Sequence, residues 1–584
     1  MGMTTPWGTT NHGTKNNGIP EQTNQEDEVP QADRSPRVCR TGRTGRTALV
    51  ALVLATALVG SAACNDSRTH SSTNRDAAVG DATVHDGDAA LLEDAKTSPD
   101  AGPLPTVCEP DFGAADVSQP DHVVGDGSAT SCTEAALRSA VSAGGVITFD
   151  CGSAPITITV TSQLEVTADT VIDGGDLVTL SGNSATRILA IPSSFELASP
   201  TLTVQHLTLI DGHSIRGNDD TDSGGGAIWS RGGNIVIVGC TFRNNSAPET
   251  GQDLAGGAIY NVGSGRVAIT DSLFENNHAS DGGAIGVLHA DLAIYNTIIT
   301  GNRATGTGGN PGNGGDGGGI YSDGTSQDES LCAVVLTNNQ ANKAGGGMFR
   351  VSNDNVGTMT FDRCTISDNS CPPSGDEKTQ GGGLFLMGLN IDIRSTTISG
   401  NSASGSGGMF ISRQTTLNMT NCTVANNTAL TSLAGGLFMS ADIQGTILNC
   451  TFSGNEAPGE VAFAGATVGG PNVVLKNSVM AYSVAGNGWN PITCRDEMHD
   501  GGGNIQWPVE RSGGGSDDPD ALCAAGALIQ DPKLGDLADN GGPNETMMPA
   551  SDSPAIGLGQ DCPAKDQRGQ SRQAACTAGS IEIQ

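Results

Sequence analysis

Hydrophobic and polar positions alternate over short stretches along most of this chain, and the alternation restarts about every thirty residues. In Leu417–Asn427, LNMTNCTVANN, Leu417 and Met419 alternate with polar neighbours, so both face one side of an extended strand. At Asn421 the period slips, and Cys422 and Val424 become the inward pair. The slip predicts a corner between two short strands. The same string recurs as LAIYNTIITGN from Leu292, MTFDRCTISDN from Met359 and TILNCTFSGN from Thr446. Each unit closes on an Asn, at Asn245, Asn277, Asn302, Asn339, Asn369, Asn401, Asn427 and Asn455. A small residue follows two places on, Ala in every case but Cys371. Then comes a glycine signal: GGAIW from Gly225, GGAIY from Gly256, GGAIG from Gly282, GGGIY from Gly317, GGGMF from Gly345, GGGLF from Gly381, SGGMF from Ser406 and AGGLF from Ala434.

Each part of the unit has a structural use. Asn tolerates left-handed backbone, and its amide can bond along a stack to the next Asn. The Gly pair permits positive φ and close backbone approach. Three short strands per coil, with corners in register, predict an all-β right-handed parallel β-helix. Some twelve coils at ~4.8 Å each would span ~55 Å. Intervals between the Asn residues run from 25 to 37, so loops must absorb the difference, chiefly Thr305–Asp316, Gln327–Ser330 and Pro372–Gln380. Thr133–Ser142 reads as an amphipathic helix, N-capped by Thr133 and stopped at Gly144, that covers the N-terminal end of the stack. The solenoid is assigned to residues 108–485 and an irregular C-terminal cap to 486–584.

The first hundred residues have no such period. Residues 1–64 form a leader. An Arg-rich stretch (Arg34, Arg37, Arg40, Arg43, Arg46) precedes the apolar run Ala48–Leu58, and Ala62-Ala63-Cys64 closes it. That run is short of the roughly 20 apolar residues a membrane span needs, and it reads as a signal peptide. The exit resembles a bacterial lipoprotein site, which implies lipidation of Cys64; the family's usual Leu is replaced by Ser61. Residues 65–107 are rich in Asp, Ala, Ser and Thr and read as a disordered acidic linker.

Composition narrows the function. A net charge of −34 excludes a phosphate-binding surface, so nucleic acid is not an expected partner. Aromatics at 3% restrict the core to stacked aliphatic residues. In an exported chain, Cys494 with Cys523, Cys562 with Cys576, and Cys132 with Cys151 are local disulfide pairings. Cys240, Cys364, Cys422 and Cys450 share one repeat position with Ser272, Thr297 and Thr396, which marks a small buried stacking site.

The GGAI and FxxN strings, as at Phe242–Asn245 and Phe274–Asn277, resemble the repeats of polymorphic outer membrane proteins over residues 225–457. That resemblance implies a Gram-negative cell-surface β-helix with an adhesive role. Members of that family end in a membrane barrel with a terminal aromatic, whereas this chain ends Ile583-Gln584, so self-export is not expected. Leu137–Val141, Val146–Phe149, DPKLGDLADNGGPNETMMPASDSPAIGLG from Asp531 and CPAKDQRG from Cys562 are similar to exported choice-of-anchor Q β-helix proteins across 108–584. The fold these families share with pectin lyases keeps a polysaccharide lyase or glycoside hydrolase as the alternative, and a purely structural envelope protein as a third reading.

No strong catalytic signature accompanies the repeats. Asp219, Asp220 and Asp222 lie in a Gly/Ser-rich loop; Asp271, Asp291 and Asp362 fall near corners; Arg350, Arg363 and Arg394 are spaced to form a basic stripe over neighbouring coils. His206 and His213 are the nearest histidine pair in the repeats. GNGGDGGGI from Gly312 half-matches a calcium nonapeptide, but a single copy lacks the tandem turns that such a site requires. The expectation is therefore a non-enzymatic, monomeric surface β-helix on an N-terminal lipid anchor, exported to the outer membrane or cell surface. It has no catalytic residue and no cofactor, calcium being the one candidate. Its ligand is a glycan or a protein.

Overall fold

The computed structural model describes residues 103–584 apart from 374–377, 460, 487–491 and 509–521; Cys64 and the leader lie outside the described residues. The described body is a parallel β-helix. Two 14-stranded sheets and one 11-stranded sheet run along it, with a fourth ladder of eight two-residue strands. In one coil the chain passes through Thr416–Thr420 in the first sheet, Thr423–Ala425 in the second, Thr428–Ala429 in the ladder and Leu437–Met439 in the third. Each strand pairs in parallel with its equivalent one coil away, as in Leu417↔Gly445 and Val424↔Phe452.

The period slip is a left-handed residue. Asn421 has φ 54°, and Asn296, Arg363, Ser395, Asn449 and Asn477 take the same conformation at that corner. Its effect is to turn Leu417, Met419, Cys422 and Val424 all into one continuous core. The second corner differs by one residue from the sequence reading. The left-handed position is Asn276, Asn338 or Asn426, one place before the repeating Asn. The repeating Asn itself is buried and forms a ladder. Asn339 Nδ2 donates to Asn369 Oδ1 (3.0 Å) and to Ile299 O (2.9 Å), while its Oδ1 accepts the Asn302 N–H (3.0 Å). The first Gly of the third corner carries positive φ, for example 71° at Gly256, where a Cβ would meet Ile259 O at 2.0 Å. Cys240, Cys364, Cys422 and Cys450 are free and buried, and burial pushes the Cys240 thiol up to about 12.

The helix Glu134–Ala143, capped by Thr133 Oγ1 accepting the Ala136 N–H, buries Leu137, Ala140 and Val141 against the first coils. Both terminal segments also fold back along the corner between the first and second sheets. Cys108 is disulfide-bonded to Cys332, and its backbone pairs with the Asn296 amide. Ala115 N donates to Gln205 Oε1 at 2.8 Å. From the other end, Gln567 bonds Thr423 and Thr397, and Asn544 donates to the Cys364 and Ser395 carbonyls. Cys132–Cys151, Cys494–Cys523 and Cys562–Cys576 are bonded.

Candidate functional site

With one edge strapped, outward residues of the first sheet form an open polar surface. Strand starts stack Arg266 on Asp291 and Asp328 on Thr358 in consecutive coils. Further along the strands, Ala293, Ser330, Thr360 and Asp392 stack in the same way. Strand alternation puts these side chains outward because Leu292, Leu331 and Phe361 occupy the core. The N-terminal strap walls this groove. Asp111 Oδ1 lies 3.2 Å from Arg266 Nη2, and the Arg266 guanidinium sits 5.6 Å from the centre of the Phe112 ring. Asp291 Oδ1 accepts the Asp328 N–H at 3.0 Å, and Asp328 Oδ1 accepts from Thr358 Oγ1 at 2.7 Å. The depression encloses about 390 Å³. Three exposed carboxylates thus share one groove with one half-buried guanidinium. That set can offer repeated hydrogen bonds to a polymer laid along the axis.

Asp291 lies near a corner, two residues after the left-handed His289, and begins the strand Asp291–Tyr295 with its side chain exposed in this groove. Asp271 does occupy a left-handed corner, with φ 51°. The basic stripe is absent among the described residues. Arg350 points into the core, wholly buried, 2.9 Å from Glu329 Oε1. Its backbone register, between Ser322 and Leu386, is an inward one, which alternation counted from the Gly-Gly corner would have revealed. Arg363 pairs with Asp362 at 2.7 Å, and Arg394 pairs with Asp392. Asp220 and Asp222 pair with Arg216 and Arg231, and Asp219 caps a short helical turn through the Thr221 N–H. His213 Nδ1 lies 2.8 Å from Ser246 Oγ.

A second acidic group lies beneath the longest period-breaking loop. The slot just before the Gly-Gly corner holds Ala255, Asp281, Asp316, Ala344 and Gln380 in successive coils. Asp281 and Asp316 are each about 1% exposed, and Asp281 Oδ1 accepts the Asp316 N–H at 2.9 Å. Asp316 Oδ2 has no hydrogen-bond partner. Burial pushes the Asp316 carboxyl up to about 7, against the pull of Lys343, with Asp323 adding to the rise. Burial, then the charge of Asp316, holds Asp281 well above the usual carboxylate range. Tyr321 Oη donates to Asp253 Oδ1, and Asn310 Nδ2 donates to Asp323 Oδ2, both at 2.7 Å, so the loop is tied down over the pair. Among the described residues no three His, Cys, Asp or Glu side chains are grouped to hold a metal ion. The sequence signal was an Asp in a slot that the neighbouring coils fill with Ala or Gln.

Raised folded-state values mean the pair contributes stability in acid and loses it as pH rises from about 4 through about 7. Protection of the residue 305–316 amides against exchange, corrected for intrinsic rate, is expected to fall about tenfold or more from pH ~5 to pH ~8. Asp316→Asn is expected to flatten that dependence.

The sequence model of a right handed beta helix region matches residues 309–479. The Chlamydia polymorphic membrane protein repeat matches residues 239–262 and 271–287. No curated protein sequence matches the chain. Among solved structures, PfbA, a surface adhesin of Streptococcus pneumoniae, aligns at 10% identity over 61% of this chain and 89% of its own, with a TM-score of 0.32. The A-module of the Azotobacter vinelandii mannuronan C-5 epimerase AlgE4 aligns at 14% identity over 70% and 100%, with a TM-score of 0.37. Both are too distant in shape to bear on what this chain does.

Proposed function

We propose that this right-handed β-helix, built in part from polymorphic-membrane-protein-like repeats, is a cell-surface binding protein that lays a polysaccharide along the outer face of its first sheet. The observation that carries the reading is the groove of Arg266, Asp291, Asp328 and Asp111, continued by Ser330, Thr358 and Thr360. Hydroxyl and carboxylate groups repeat at the coil spacing of ~4.8 Å, close to the length of one sugar unit, so a regular polymer can make the same contacts coil after coil. The Chlamydia repeat match and the leader both suit display at the envelope. Adhesion is the role such binding serves.

A second reading, a polysaccharide hydrolase or lyase, gains from the same groove, since carboxylates beside an arginine are what such chemistry uses. The exposure of Asp291 and Asp328 favours binding over catalysis, because a general acid needs an environment that holds its proton. Affinity electrophoresis of the protein in gels cast with a panel of neutral and acidic polysaccharides tests the proposal. Retardation by at least one polymer is expected, with an affinity lowered about tenfold by Arg266→Ala or Asp328→Ala, roughly the loss of one charge-assisted hydrogen bond. Reducing-sugar release abolished by Asp291→Asn would replace binding with catalysis as the primary role.

A further inference from the structure

The polar face does not end at the groove. Beyond Asp328 the same outward column of the first sheet runs on through Thr358, Asn390, Thr416, Gln444 and Asn472, each paired with the next and all exposed. A second outward column stands beside it, two residues further along each strand, and carries Thr360, Asn418 and Thr446. Between the columns Met359, Ile391 and Leu417 turn into the core. The two rows are therefore fixed about 6.6 Å apart, and each repeats at about 4.8 Å. From Arg266 to Asn472 the path crosses seven coil steps, about 34 Å.

Its charge pattern is selective. From Thr358 onward the one charged side chain in the two columns is Asp392, and Arg394 on the same strand pairs with it. The others are mostly hydroxyls and carboxamides, which both donate and accept, as sugar hydroxyls do. At the groove end Arg266 is engaged by Asp111, while Asp291 and Asp328 stand in no ion pair among the described residues. A uronate or sulfated chain laid here would bring its charges against those two carboxylates, with no cation left over in either column to meet them. Such a built-in repulsion separates partners whose hydroxyls are otherwise alike. We propose that this face takes a neutral, hydroxyl-rich polysaccharide along about seven sugar units and rejects polyanionic ones. This names the substrate class of the binding reading above and rests on it.

Affinity electrophoresis of the full chain at low salt, in gels cast with galactomannan, dextran, β-glucan, polygalacturonate or alginate, tests the class. At least one neutral polymer is expected to retard the protein, and both uronate polymers to do so about tenfold or more weakly. Isothermal titration with oligosaccharides of about two to nine units, cut from the retarding neutral polymer, tests the path. Affinity is expected to rise with length up to about seven units and then level off. Thr416→Ala combined with Asn418→Ala changes two exposed side chains several coils from Arg266. It is expected to weaken the longest oligosaccharide about tenfold, with the circular dichroism of the fold unchanged. Retardation by a uronate polymer as strong as by any neutral one overturns the neutral class and leaves the binding reading standing. An affinity that stops rising at about two or three units, or full affinity in the double variant, overturns the long path. Retardation by none of the polymers removes the binding reading itself, and this inference with it.

Discussion

Replacing Arg350 with leucine is expected to destabilise the coils around it by about 3–5 kcal/mol, and replacing Glu329 with methionine as well to restore most of that loss. The guanidinium and the carboxylate are both wholly buried, with Arg350 Nε 2.9 Å from Glu329 Oε1. Arg350 Nη1 donates to Val351 O, and Ser322 Oγ donates to Glu329 Oε1. Glu329 Oε2 has no hydrogen-bond partner, and burial raises the Glu329 carboxyl despite Arg350 beside it. The pair is therefore a costly one whose halves depend on each other. Either single change strands a buried charge, whereas the double change fills two slots that neighbouring coils already fill with Leu292, Met359 and Leu386. Stacked coils need not melt as one unit, so the measurement is hydrogen exchange over residues 320–362, supported by urea melts. A double variant as unstable as the single one would refute the pairing.

Asn339→Ala is the second large effect, expected to cost about 2–6 kcal/mol. Truncation removes the acceptor for the Asn302 N–H and the donor to Ile299 O, both buried, and each orphaned group costs about 1–3 kcal/mol. It also cuts a chain of amides running unbroken from Asn245 to Asn455. Asn339→Asp separates this from a mere packing loss. The carboxylate would still accept from Asn302, but it would face Ile299 O and Asn369 Oδ1 without a proton to donate. The Asp variant is expected to be less stable than wild type at neutral pH and to recover partly in acid, where protonation restores a donor. Equal pH profiles for the Asp and Ala variants would count against the ladder.

Those amides show how far the sequence could be read. A residue recurring in the same slot of stacked coils meets its own copies, so Asn339 and the Gly-Gly corners reveal themselves by repetition. The slip at Asn421 was legible because it inverts which side chains face inward. What repetition hides is the exception. Arg350 looked like surface because it is charged, though its register is inward. Asp281 and Asp316 stand in an ordinary slot, and their meaning depends on being adjacent across a 35-residue interval. The groove was harder still: Arg266, Asp291 and Asp328 come from three coils, and the strap that supplies Asp111 carries no period at all. Contacts of the C-terminal segment, such as Gln567 on Thr423, likewise join residues 144 apart with no pattern linking them.

The Cys108–Cys332 bond spans 224 residues and closes the first half of the stack into a covalent ring. Its consequence is mechanical. A body pulled from the N-terminal side of Cys108 would not be peeled from its first coil. Tension entering at Cys108 passes through sulfur to Cys332, near the middle of the body, and the capping helix and the coils before it carry none of that load. Reducing this bond should convert a structure that resists force by shearing many parallel strands together into one that unzips rung by rung.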